Sequence, residues 1–330
     1  MQYLKHYWVR NGEYLTEPGQ NGPLQSHSNI SGLDVRYWLT DDRGVDYCLS
    51  TVPDNTLITE VDPGLEILTR EEWDAIVDAA FVDQKLAKPS QSEIIGAVQA
   101  ATDPRDVLVG AAGSLPGDLH KLWRVRDPLG YHMEYAFSCM GYEIAAGLGV
   151  ARADSSRTPV VMMGDGSYLM MHTELVTAVA ERLKFIVVLV QNHGYASIGH
   201  LSEDIGSQRF GTKYRFRDAK SNNHESGDVL PVDLATNAES LGMNVIRIAE
   251  SPSAIADLSA AMKVAKSHPT ATLIHINSDP MLYAPGGEAW WEVPIPEVST
   301  LESTKKAYEN YKEARKVQKK YLGKGASERK

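Results

Sequence analysis

Continuous apolar runs of strand length, alternating with helix-length segments, mark this chain as an α/β protein with a parallel sheet flanked by helices and an irregular amino-terminal appendage. The runs at 159–163 and 185–190 carry no polar alternation, as expected of strands covered on both faces. Helix patterns intervene from about Ser90 onward. Glycine-rich turns stand directly after the strands, where open α/β sheets bind ligands.

In order, residues 92–101 read as a helix and 106–111 as a buried strand. Residues 140–153 read as a helix whose Ala and Gly content permits close packing. A strand at 159–163, a helix at 168–182 and a strand at 185–190 follow. Residues 233–241 form a helix with Gly242 as C-cap. Then come a strand at 244–248, a helix at 253–267 and a strand at 270–277. A charged helix spans 298–322, and 323–330 fray. Residues 1–55 mix Tyr, Trp, Gly, Asn and Asp without sustained period, although 35–39 and 47–52 could pair as a hairpin. The domains expected are an appendage at 1–70, a ligand-binding domain at 71–296 and a helical tail at 297–330.

The chain has 330 residues and a net charge of −10, a poor match to nucleic acid, which calls for a basic face. Two distant cysteines, Cys48 and Cys139, suggest a reducing, cytoplasmic compartment. The amino terminus has no apolar signal core, and no run approaches the roughly 20 residues of a membrane helix.

The chemistry concentrates at two strand tips. Asp165 lies in Gly164-Asp165-Gly166-Ser167, and Asn192 lies in Gln191-Asn192-His193-Gly194, 27 residues on. A lone Gly-Asp-Gly is ordinarily a tight turn. Two oxygen ligands at strand tips, with a helix N-terminus opening at Ser167, instead suit Mg²⁺ and a diphosphate. A backbone carbonyl near Gly194 could add a third metal ligand. Gly164 and Gly166 allow close approach of the backbone.

This spacing resembles the signature of thiamine diphosphate enzymes, Gly-Asp-Gly followed after about 26 to 28 residues by an Asn pair. Gln191 replaces the first Asn, and the metal-binding position is kept. The segments 111–123, 134–149, 166–174 and 207–215 narrow the resemblance to the 3D-(3,5/4)-trihydroxycyclohexane-1,2-dione hydrolases of inositol catabolism. The likeness runs from about Glu72 to about Leu322 and covers only the carboxyl-terminal cofactor domain. It implies the pyrophosphate-domain fold, with thiamine diphosphate and Mg²⁺ as cofactors. Asp165, Asn192 and the Gly194 carbonyl then hold the metal. Gly113 and Ser114 lie against the diphosphate, and the Ser138 carbonyl accepts from the pyrimidine amino group. Met140 wedges between the two cofactor rings, against the alternative that it fills the core as Met usually does.

The implied reaction is hydrolytic C–C cleavage of a cyclic polyol dione to an open-chain acid. His193, His120 and His172, in that order, are the candidates for moving protons on the substrate. Arg209 and Lys213 face a polyol, the diphosphate or solvent. The resemblance also implies a site shared between subunits, with a glutamate from an amino-terminal domain activating the pyrimidine. No such domain is recognisable here, and Glu60 and Glu66 have no supporting motif. The expectation is therefore a homo- or hetero-oligomer in which another chain supplies the pyrimidine-binding domain. Two alternatives stay open: an acetolactate synthase-like or 2-oxoacid decarboxylase subunit, and a non-catalytic cofactor-binding remnant.

Overall fold

The computed structural model describes residues 70–317, apart from 135–136, 223, 225 and 287–292, and the backbone strands at 5–10, 13–14, 34–40 and 46–48. Two compact units emerge, one of 75–285 and one of 1–74 with 286–330.

In the smaller unit, β1 (Lys5–Arg10), β2 (Glu13–Tyr14), β3 (Asp34–Thr40) and β4 (Asp46–Cys48) form an antiparallel sheet in the order β2-β1-β3-β4. The hairpin expected from the sequence forms, with Trp38 opposite Cys48 and Thr40 opposite Asp46. Its second arm stops at Cys48, and residues 49–52 lie outside those described. The tail helix begins at Glu302, not at 298, and is described to Val317; residues 318–322 lie outside those described.

The larger unit is organised by six parallel strands. They are β5 (Val107–Gly110), β6 (Tyr131–Met133), β7 (Pro159–Gly164), β8 (Ile186–Gln191), β9 (Asn244–Arg247) and β10 (Thr272–Asn277), ordered β6-β5-β7-β8-β10-β9. Val160 to Met163 and Ile186 to Leu189 have no exposed surface, which explains the unbroken apolar runs. Edge strand β9 is only half-buried and carries Asn and Arg at its ends. Strands β5, β7 and β8 are neighbours, and Gly164 pairs with Val190. That register brings the loops after all three strands together at one edge of the sheet.

Helices α1 (Arg70–Ala80), α2 (Gln91–Ala101), α3 (Ser114–Leu122) and α4 (Tyr142–Ala153) accompany the first half. Ser90 caps α2: its hydroxyl accepts from the Glu93 N–H at 3.2 Å, and Glu93 accepts from the Ser90 N–H at 2.8 Å. Such a box contributes about 1 kcal/mol. Helix α4 begins at Tyr142, not Met140, because Gly141 turns left-handed at φ 94° and Glu143 accepts its N–H at 2.8 Å. Met140 is thereby left in the loop.

The single helix expected over 168–182 is instead two, α5 (Asp165–Met170) and α6 (Glu174–Ala180). The Tyr168 carbonyl would accept from the residue-172 N–H in a continuous helix. Here the His172 ring Nδ1 donates to it at 3.0 Å, and the imidazole stacks on Tyr168. Met171 leaves the helical region at φ −157°, ψ 89°. Past β8 come α7 (Ala196–Asp204), α8 (Leu234–Ser240) and α9 (Ala254–Ser267). Gly242 closes α8 as expected, at φ 91° with its N–H on the Glu239 carbonyl. The last helix, Glu302–Val317, is α10.

Two glycines in α4 give opposite expectations. A Cβ at Gly147 would sit 2.4 Å from Val161 Cγ2, whereas one at Gly149 meets nothing within 4 Å. Gly147→Ala should lose roughly 1–3 kcal/mol by overpacking against β7. Gly149→Ala should gain about 0.5–1 kcal/mol from helix propensity. Urea midpoints of the two variants check both signs.

Candidate cofactor site

Three loops build one cavity of about 270 Å³ at the carboxyl ends of β5, β7 and β8. Gly113 and Ser114 come from the first, Gly164, Asp165, Gly166 and Ser167 from the second, and Asn192 and Gly194 from the third. Ser138 and Met140 complete the wall from the loop before α4. All ten residues expected to touch cofactor or metal thus line one space.

Asp165 is 1% exposed, and its carboxylate ties two loops together. Oδ1 accepts from the Gly166 N–H at 3.0 Å, and Oδ2 accepts from the Gly194 N–H at 3.2 Å. Burial pushes its pKa up to about 6, against the opposing pull of those backbone donors. Asn192 Oδ1 is buried and has no hydrogen-bond partner. An orphaned amide oxygen beside a strained buried carboxylate is a donor set that fits a hard cation. Among the described residues there is no cluster of three or more His, Cys, Asp or Glu side chains. Further negative ligands would therefore come from the bound phosphates.

The geometry of the third loop is locked from behind. Tyr195 donates its N–H to the Thr212 carbonyl at 2.8 Å, and Tyr214 donates to the His193 carbonyl at 2.9 Å. A Cβ on Gly194 would lie 2.2 Å from the Thr212 oxygen, so only glycine fits. A Cβ on Gly164 would meet no protein atom within 4 Å, while one on Gly166 would touch Tyr195 and Met140 near 3 Å. Gly166 therefore serves the packing of those two side chains. Its neighbour Gly164 leaves open space at the cavity wall.

Ser138 is held at φ 52°, an unusual conformation for a residue with a side chain. Glu134 clamps this turn, accepting from the Phe137 N–H at 2.9 Å and the Cys139 N–H at 2.6 Å. Those donors hold the Glu134 carboxyl below its ordinary range. On the other side, the Ser114 hydroxyl donates to Gln91 Oε1, and Gln91 Nε2 donates to buried Asp118, both at 3.3 Å. Neither Glu134 nor Gln91 was singled out by the sequence. Tyr195, Ala196, Ser197 and Ile198 also line the cavity and were equally missed.

The three histidines lie elsewhere. His120 is exposed on α3, and His172 is engaged with Tyr168. His193, at φ 59°, hydrogen-bonds Gln191 at 3.1 Å and lines a second cavity behind the third loop. Burial and nearby Lys88 lower its pKa. Arg209 is buried and paired with Glu203 at 2.7 Å and with Tyr283, while the Lys213 backbone bridges to Gly194.

With this geometry in place, comparison with known proteins is direct. Residues 111–276 match the family model "Thiamine pyrophosphate enzyme, C-terminal TPP binding domain". The chain belongs to the thiamine pyrophosphate enzyme family and carries its cofactor-binding domain. It is 39% identical over 230 residues to 3D-(3,5/4)-trihydroxycyclohexane-1,2-dione hydrolase 2 of Bacillus cereus (strain ZK / E33L). It is 38% identical over the same length to the hydrolase of Bacillus cereus (strain AH820). Each match covers 70% of this chain and 35% of the relative, so the chain spans about a third of those proteins. Among solved structures, the Rhodococcus jostii RHA1 thiamine diphosphate-dependent 4-hydroxybenzoylformate decarboxylase overlaps 58% of this chain and 33% of its own, with 19% identity and a TM-score of 0.48.

The Asp165 shift has a defined sign. Its folded pKa, about 6, exceeds the ordinary 3.8, so its stabilising contribution is complete below 3.8 and is lost as pH rises through 6. In cofactor-free protein, stability should therefore fall between pH 4 and pH 7.5, and Asp165→Asn should remove that fall while giving up one of the two accepted N–H groups at both pH values. The same variant should fail to retain thiamine diphosphate. Urea titrations at the two pH values, with equilibrium dialysis of the cofactor, check both halves.

Proposed function

We propose that this chain is the diphosphate-binding half of a thiamine diphosphate- and Mg²⁺-dependent hydrolase that cleaves a C–C bond of a cyclic polyol 1,2-dione. A second chain supplies the pyrimidine-binding domain and its activating glutamate. The supporting observation is the buried, partnerless Asn192 Oδ1 beside Asp165 in a cavity lined by every expected cofactor residue. The 39% identity to a trihydroxycyclohexanedione hydrolase supports the substrate class.

In this reading Asp165, Asn192 Oδ1 and the Gly194 carbonyl hold the metal. The Ser114 and Leu115 N–H groups at the start of α3 would receive a phosphate oxygen, aided by the helix dipole. Met140 would pack between the two cofactor rings, and the Ser138 carbonyl would accept a hydrogen bond from the pyrimidine amino group. When bound, the cofactor supplies the electron sink for the broken bond. The protein's share is placement and electrostatics. None of His193, His120 and His172 is assigned a step.

Support for a second chain comes from the surface. Phe137 is 87% exposed, and Met170, Met171 and Ile198 are each at least half-exposed. Phe137 adjoins Ser138, and Ile198 lines the cavity itself. An apolar lip of this kind is the mark of a binding face.

The test is to mix the chain with thiamine diphosphate and Mg²⁺, with and without a candidate pyrimidine-domain partner, and to follow dione consumption. Turnover only with the partner supports the reading. Tight cofactor binding without turnover in any pairing would make the chain a non-catalytic binding module. Met140→Ala should keep cofactor affinity within a few-fold yet lower the reconstituted rate by roughly ten- to a hundredfold, as loss of positioning does. Asp165→Ala should abolish cofactor retention, and Asn192→Ala should weaken it less, since the amide carries no charge.

A further inference from the structure

A second cavity, of about 310 Å³, lies behind the third loop. It shares Asn192, Gly194 and Ala196 with the cofactor cavity, but its far wall comes from elsewhere in the chain. Lys88, Arg209, Lys213 and Arg215 line it, and none of its lining residues is acidic. Arg209 is already paired with Glu203, so it frames the wall. Lys88 meets Glu250 at 3.2 Å, with both side chains about 43% exposed, a pairing weakened by solvent. Arg215 gives one N–H to the Gly227 carbonyl at 2.8 Å, which does not neutralise its charge.

An independent feature marks the floor. Ser278 follows β10 directly and is 3% exposed, with its backbone N–H on the Gln191 carbonyl at 2.9 Å. Its hydroxyl is buried and has no partner. A buried hydroxyl without a partner is costly and calls for a ligand. Val229, Pro280 and Met281 add apolar surface for a carbon skeleton. The volume exceeds that of a lone inorganic anion and lies at the small end of organic ligand sites.

The geometry points to a second ligand site here, for a small polyhydroxy carboxylate bound by the Lys88 and Arg215 charges with Ser278 Oγ on a ligand hydroxyl. This site is separate from the cofactor cavity, and the inference holds whatever reaction the chain supports. The ligand's carboxylate meets the cations, and its hydroxyls meet Ser278 and the loop backbone.

Calorimetric titration of the full chain with D-glucuronate, with and without saturating thiamine diphosphate and Mg²⁺, tests it. D-Glucose and inorganic phosphate serve as the neutral and skeleton-free controls. The expected result is one D-glucuronate per chain in both states, with glucose silent and phosphate weaker by roughly tenfold or more. Lys88→Ala, on an exposed side chain, should weaken D-glucuronate several-fold. Ser278→Ala should do the same, and both should leave cofactor affinity unchanged. No D-glucuronate binding, equal binding of phosphate, displacement by the cofactor, or indifference to both substitutions would each overturn the proposal.

Discussion

The buried carboxylate of Asp165 is the constraint around which the site is organised. It stands at the tip of β7 and accepts N–H groups from its own loop and from the loop after β8. Those two bonds fix the distance between the strand tips. They do not meet the electrostatic cost, because burial still leaves the acid with a pKa near 6. A carboxylate that the fold both requires and penalises is balanced when a cation arrives. The orphaned Asn192 oxygen points to the same balance, since a neutral acceptor kept dry and unpartnered costs stability without a ligand.

Much of this was legible in the sequence because the information is local. Gly-Asp-Gly after one apolar run, and Asn at fixed spacing after the next, place two oxygens at strand ends. A parallel sheet puts all such ends on one side. Adjacency of β5, β7 and β8 then does the rest, and the ten expected residues meet in one cavity. The sequence was less informative where side chains compete with the backbone. The break between α5 and α6 depends on an imidazole taking the carbonyl that a continuous helix would use. Composition and period carry no trace of that contest.

His193 shows a different limit to local reasoning. Its adjacency to Asn192 suggested a shared site. The backbone there is left-handed, and its side chain belongs to the second cavity. That cavity joins residues near 88, 209–215 and 278–281, segments with no common motif. Likewise, Glu134 holds the Ser138 turn through two backbone N–H groups. An acid that acts on main chain looks, in sequence, like any surface glutamate.

The structure also divides the cofactor task unevenly. In the proposed reading, the diphosphate end would meet rigid features: a sheet edge, a glycine whose Cβ would collide with the Thr212 carbonyl, and a loop stitched to the 212–214 segment. The ring end would meet the left-handed turn at Ser138, the Met140 side chain and an apolar lip ending in Phe137. Rigid features can capture charge without help, because their donors are already aimed. Among the described residues that line the cavity, Asp165 is the only acid, so none is left there for the ring. On that reading affinity and activity should separate in this chain, since the groups proposed to hold the phosphates line one cavity while no second carboxylate lines it for the reacting ring. The surface that would complete the ring end must present apolar side chains to the lip and a carboxylate to the ring, which is the chemistry proposed for the partner chain.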